Sequence, residues 1–130
     1  MMISVALLLT ALLFGGMTLF AFAFAAFLFT ALPHDTARAV IRAAFPWFYL
    51  FVMATAGVAA VLWWPLAAPA AWVMGLIALT TWPTRQMLMP AINRATDAGL
   101  KGRFKALHGL SVLITLAHIA AAGWVIVQAV

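Results

Sequence analysis

The fold is decided by residues 3–32, which read ISVALLLTALLFGGMTLFAFAFAAFLFTAL and contain no charged side chain. A helix of this length measures roughly 45 Å at ~1.5 Å per residue. About 20 apolar residues suffice to cross the hydrocarbon core of a bilayer. A signal peptide has a basic start and a shorter apolar region. We therefore expect this stretch to be a retained membrane helix.

Three further apolar stretches follow, at residues 37–64, 71–94 and 104–127, and each is long enough to cross a bilayer. The composition agrees, because 68% of residues are hydrophobic and 7% are charged, against about 25% charged in soluble domains. The sequence predicts an all-α integral membrane protein. Residues 1–130 would form a single domain, an antiparallel bundle of four transmembrane helices.

The basic residues predict how the bundle is oriented. Six of the seven flank the first and third loops, at Arg38, Arg42, Arg94, Lys101, Arg103 and Lys105. The second loop and both termini carry no Lys or Arg. Since basic loops stay on the cytoplasmic side, loops 1 and 3 should be cytoplasmic and both termini outside, in the bacterial inner membrane. The net charge of +5 is thereby explained as a topology signal, and no nucleic-acid partner is expected.

Polar residues within the apolar stretches are the candidates for function. The fourth helix carries four of them, at His108, Ser111, Thr115 and His118. Spacings of three and four residues place side chains on one face of a helix. Because polar groups facing lipid cost free energy, this face should look into the bundle.

The second and third helices add Tyr49, Arg85 and Asn93. Arg85 should lie at about the depth of the polar face of the fourth helix. Two alternatives stand for its side chain: it snorkels to the cytoplasmic interface, or it faces the bundle. No Asp or Glu lies within a span, so an inward Arg85 would need backbone carbonyls, hydroxyls, neutral imidazole or an anionic ligand. The predicted ligand-binding residues are Tyr49, Arg85, Asn93, His108, Ser111 and Thr115.

A haem or pigment site is a weaker hypothesis, resting on His108 and His118. These residues are ten apart, or roughly 15 Å of helix rise, so they cannot bind one metal together. A hydrogen-bonded histidine within the bundle is the simpler interpretation. Ser111 shares a helix with His108 and has no acid nearby, which does not suit a catalytic triad. We therefore expect no catalytic residue, no enzyme activity and no bound cofactor, and we assign no metal.

Several segments resemble a known family. They are residues 27–33 (FLFTALP), residues 45–49 (FPWFY) and residues 107–111 (LHGLS), which follow a basic loop. Together they are similar to the transmembrane-protein-205-like family, whose bacterial members form a domain of unknown function. The chain departs at Thr115, where members often carry Asn, and it matches their Arg before the third-helix proline only approximately, at Arg85.

The resemblance implies a small four-helix membrane protein. A eukaryotic relative is associated with resistance to platinum drugs and with membrane trafficking. Distant similarity to bacterial copper-resistance proteins and to a haem-pathway membrane oxidase is what favours a cofactor.

Three functions are compatible with these observations. The first is a non-enzymatic membrane protein that binds or moves a small solute, anion or metal through the polar site. The second is a structural accessory subunit of a larger membrane complex, such as a respiratory or photosynthetic one. The third is a haem- or pigment-binding protein. The expected partners are the lipid bilayer and either further copies of the chain or a larger complex.

Overall fold

The computed structural model describes every residue from Met1 to Val130, and the chain folds into four long helical segments. The first segment consists of α1 (Met2–Thr18) and α2 (Ala25–Ala31), joined by a π-helical turn over Leu19–Phe24. The second segment is α3 (His34–Trp63), which continues through Pro46.

The third segment is also interrupted. It consists of α4 (Ala68–Pro83) and α5 (Met89–Asp97), joined by a second π-helical turn over Thr84–Leu88. The fourth segment is α6 (Lys101–Ala129). All four begin and end within three residues of the predicted bounds.

The start of α3 differs from the prediction. The sequence predicts a helix that begins at residue 37. The helix instead begins at His34 with Pro33 at the cap position, and no side chain forms a capping hydrogen bond. Asp35 lies in the first helical turn, where a carboxylate interacts favourably with the helix dipole.

Three helical segments are long and apolar enough to cross a membrane: Met2–Ala31, His34–Trp63 and Lys101–Ala129. The third segment is not among them, although the sequence led us to expect four. Its second half holds Arg85 and Gln86, whose polarity lowers the mean hydropathy. The chain is thus an all-helical, integral multi-pass membrane protein.

The core is built by a ring of packed helices. Both α1 and α4 pack against α3 and against α6. Large side chains from each of these helices are fully buried between them, including Leu13, Val52, Met74 and Val125. Gly16 allows a close approach, since a Cβ atom there would lie 2.8 Å from the Phe51 ring.

At one level of the bundle, the four helices stop packing together as a ring. There α2 packs on α3 and α5 packs on α6, while the two pairs make few contacts with each other. The level is marked by Phe20, which stacks on Phe48 with ring centroids 4.3 Å apart. It is also marked by Arg85, whose Nε donates to the Pro46 carbonyl at 3.1 Å. Both π-helical turns lie at this level, and beyond it the helix pairs diverge.

A buried hydrogen bond joins α1 to α3 at the other end of the bundle. Trp63 Nε1 donates to Thr10 Oγ1 at 3.0 Å, and Thr10 Oγ1 donates to the Ala6 carbonyl at 2.8 Å. Trp63 and Thr10 are both almost completely buried. The threonine hydroxyl therefore satisfies an indole N–H that has no water to bind.

We expect Thr10→Val to lower the free energy of unfolding by about 0.6–2 kcal/mol, because it leaves a buried N–H without a partner. The measurement is unfolding in mixed micelles followed by circular dichroism. Thr18→Val is the matched control, since the Thr18 hydroxyl bonds only to the Phe14 carbonyl of its own helix. Equal losses in the two variants would contradict this role for Thr10.

Candidate functional site

The divergence of the helix pairs creates a cavity of about 1000 Å³. Its walls are α2, the first half of α3, α5 and the first half of α6. Fifteen of the 25 residues that line it are hydrophobic. The remainder are polar, charged or glycine, so the cavity combines an apolar wall with polar groups.

Five of the six predicted ligand-binding residues line this cavity. They are Tyr49, Asn93, His108, Ser111 and Thr115. Three helices contribute them, so the structure brings together side chains that lie up to 66 positions apart in the sequence. Whether they bind a ligand stays a prediction.

Arg85 lies apart from these five residues. Its Nε donates to the Pro46 carbonyl on α3, and its Nη1 donates to Gln86 Oε1 at 2.7 Å. The side chain is half-buried and does not line the cavity. Of the partners considered for an inward arginine, it uses a backbone carbonyl, and a role for Arg85 in ligand binding stays a prediction.

His118 also lies outside the cavity. Its Nε2 is 2.7 Å from Thr80 Oγ1 on α4, as expected for a hydrogen-bonded histidine within a bundle. His108 is on the cavity wall, where its ring stacks on Phe104 with centroids 5.4 Å apart. The two histidines thus face different surroundings. No group of three or more His, Asp or Glu side chains is placed to hold a metal ion.

Several polar groups in the cavity have no partner within the protein. Only 6% of the Tyr49 side chain is exposed, yet its hydroxyl forms no hydrogen bond. Every fully enclosed side-chain polar atom has a partner, so this hydroxyl is not fully enclosed, and Tyr49 lines the cavity. The side chains of Asn93 and His108 likewise form no hydrogen bond. Ser111 donates to the His108 carbonyl at 2.7 Å.

The cavity also contains cationic residues that sequence analysis assigned only to topology. Arg38, Arg42 and Lys101 line it, together with His34. Arg38 and Arg42 are four residues apart, which places them on one face of α3. That spacing is the one feature of the sequence that indicates a shared role for the two arginines. Basic residues near a loop are also what membrane topology requires, so the two arginines do not by themselves indicate a site.

One ion pair joins the two diverging helix pairs. Arg42 Nη1 and Nη2 donate to the two carboxylate oxygens of Asp97 at 2.7 and 2.9 Å. It is the sole salt bridge of the structure, and both side chains are about half exposed. The hydrogen bond from Arg42 lowers the pKa of the Asp97 carboxyl. The pair therefore holds α3 to α5 across the open end of the cavity.

Comparison with known protein families shows the family of this chain. Residues 8–101 match the family described as "Domain of unknown function (DUF4149)". The chain belongs to this family. The match begins within α1, includes all of α2 to α5 and ends where α6 begins. It agrees with the expected membership of a domain-of-unknown-function family. Comparison with curated proteins and with solved structures gave no match.

The ion pair predicts that acid loosens the open end of the cavity. A carboxyl whose pKa is lower in the folded protein stabilises the fold above its ordinary pKa of about 3.9, and this contribution is lost as the pH falls through the lowered value. We expect spin labels at Thr36→Cys and Ala106→Cys to show a broader distance distribution below pH 4. The chain has no cysteine of its own, so the labelling is specific.

Asp97→Asn should broaden the same distance distribution at every pH, because an amide cannot form the ion pair with Arg42. Asp35→Asn is the matched control, since Asp35 forms no salt bridge and its removal should preserve the pH dependence. Identical profiles for the unsubstituted chain and Asp97→Asn would show that the pair does not hold the helices together.

Proposed function

We propose that all four helical segments cross the membrane as an antiparallel bundle, with the open end of the cavity on the cytoplasmic side of the bacterial inner membrane. The basic residues support this orientation, because Arg38 and Lys101 lie at the same end of the bundle and line one cavity. The third segment has the length for a crossing, and its Arg85 is accommodated by the Pro46 carbonyl.

The helix lengths also suggest the depth of the cavity. On α3, Trp63 lies 17 positions after Pro46, a rise of about 25 Å at ~1.5 Å per residue. This is close to the ~30 Å thickness of a hydrocarbon core. If Trp63 lies at the outer interface, the cavity beyond Pro46 lies where the lipid headgroups begin on the cytoplasmic side. Water and ions can reach that depth.

Within this arrangement, the chain is a non-enzymatic membrane protein that binds a small anionic solute in the cavity. The observation that carries the proposal is a set of unpaired donors around one space. Arg38 and Lys101 line the cavity and take part in no salt bridge. Tyr49, whose hydroxyl has no partner, lines the same space, and every one of these groups can donate a hydrogen bond.

Each residue would have a distinct part in binding. Arg38 and Lys101 supply positive charge near the open end, and an arginine can bind a phosphate or carboxylate with two parallel hydrogen bonds. His108 and Asn93 supply further hydrogen-bonding groups. Arg42 contributes less charge, because its guanidinium is already bound to Asp97.

The resemblance to the transmembrane-protein-205-like family is compatible with this proposal and adds no ligand to it.

The proposal can be tested with inorganic phosphate as the probe, by isothermal titration calorimetry of the purified protein in a neutral maltoside detergent. We expect weak binding, with a dissociation constant on the order of 1 mM. Lys101→Ala should weaken it about tenfold, the effect of losing about 1.4 kcal/mol from a charged hydrogen bond. Arg38→Ala should act similarly.

Arg103→Ala is the matched control for Lys101→Ala. Both residues are exposed on the first turns of α6, but only Lys101 lines the cavity. Equal weakening by both substitutions would indicate a general effect of charge and would refute a site in the cavity. Absence of phosphate binding up to about 100 mM, where even a weak site of ~10 mM would be filled, would refute the proposal as a whole.

A further inference from the structure

The cavity is much larger and more apolar than a small anion requires. Its volume of about 1000 Å³ is at the upper end of the ~300–1,000 Å³ found for small-molecule sites. A phosphate ion on Arg38 and Lys101 would leave most of the apolar wall in contact with water. Because burying apolar surface is favourable, an occupant with an apolar part would bind more tightly than a free anion.

The wall that the first helical segment contributes to the cavity is entirely apolar. Ala21, Phe22, Ala25, Ala26 and Phe29 line the cavity from α2 and the π-helical turn before it. Residues 3–32 carry no charge, whereas α3 and α6 place Arg38 and Lys101 on the same cavity. The occupant therefore meets hydrocarbon on one side and cations on the other, which is the pattern that an amphiphile matches.

The cavity is also open sideways, between α2 and α6. Both helices line it, but they make few contacts with each other. Phe22, Phe29 and Val112 line the cavity on these two sides and are 49%, 42% and 37% exposed. With few contacts to close it, the space between the two helices forms a lateral opening. At the depth proposed above, this opening lies at the boundary between the lipid headgroups and the hydrocarbon.

We infer that the cavity takes an anionic amphiphile directly from the cytoplasmic leaflet, a molecule with one phosphate or carboxylate headgroup and a long hydrocarbon chain. The inference rests on the anion site proposed above and names its ligand class. The headgroup lies between Arg38 and Lys101, within reach of His108. The chain lies along the aromatic wall of Phe22 and Phe29 and leaves through the gap between α2 and α6.

The experiment compares three probes by calorimetry in the same neutral detergent. They are 1-oleoyl-lysophosphatidic acid, glycerol 3-phosphate, which is its headgroup without the chain, and monoolein, which is the chain without the phosphate. We expect the lysophospholipid to bind at least tenfold more tightly than either fragment, a difference of about 1.4 kcal/mol or more. That result would support both the anion site and the amphiphile.

The other outcomes separate the two proposals. Glycerol 3-phosphate binding as tightly as the lysophospholipid would overturn the amphiphile but keep the anion site. Monoolein binding as tightly as the lysophospholipid would overturn the anion site, and the inference with it. No binding of any probe would also overturn both.

A pair of substitutions tests where the hydrocarbon chain lies. Ala26 lines the cavity, whereas Ala23 lines a separate apolar groove on the outer side of the same helix, beside Trp47. Both alanines are exposed. Ala26→Trp should fill the space and weaken lysophospholipid binding at least tenfold, while Ala23→Trp should change it less than about twofold. Equal effects would place the chain outside the cavity and overturn the inference.

A second comparison holds even if a tryptophan variant fails to fold. Lys101→Ala and Arg103→Ala remove exposed side chains that contribute nothing to the core. Lysophospholipid binding should weaken about tenfold in the first and stay within about twofold in the second. Equal binding by the two variants would overturn the placement of the headgroup.

Discussion

The close packing of α1 and α4 against α3 and α6 ends at a single level, and the cavity exists because it ends there. The level is fixed by the hydrogen bond from Arg85 to the Pro46 carbonyl and by the stacking of Phe20 on Phe48. On one side, buried aliphatic side chains fill the space between four helices. On the other, only two pairs of helices remain packed, joined across the gap by Arg42 and Asp97.

This division gives the two ends of the molecule different chemistry. The closely packed end holds the buried Trp63–Thr10 hydrogen bond, in which the two polar groups satisfy each other within the protein. The open end carries donors that the protein itself does not satisfy, among them the Tyr49 hydroxyl and the Asn93 amide. Since unsatisfied polar groups at low dielectric are costly, such an end is stabilised by whatever occupies it.

Much of this architecture follows from composition alone. The apolar stretches predict the helices, and the cost of exposing polar groups to lipid places His108, Ser111 and Thr115 on an inward face. The divergence of the helix pairs could not be predicted from the sequence, because it depends on which helices stay in contact along only half of their length. For the same reason Arg85 could be expected to need a backbone carbonyl, but not the one at Pro46. Arg38 and Lys101 escaped notice because topology already explained them.

The π-helical turns at Leu19–Phe24 and Thr84–Leu88 set the directions in which α2 and α5 point their side chains. Such a turn accommodates one residue more than an α-helical turn, and one residue corresponds to about 100° around a helix axis. If Leu19–Phe24 were wound as a regular α-helix with the same number of residues, everything after it would be rotated by about that angle. Phe29 would then turn away from the cavity that it lines. The π-helical geometry of this short stretch therefore decides which surface of α2 encloses the cavity.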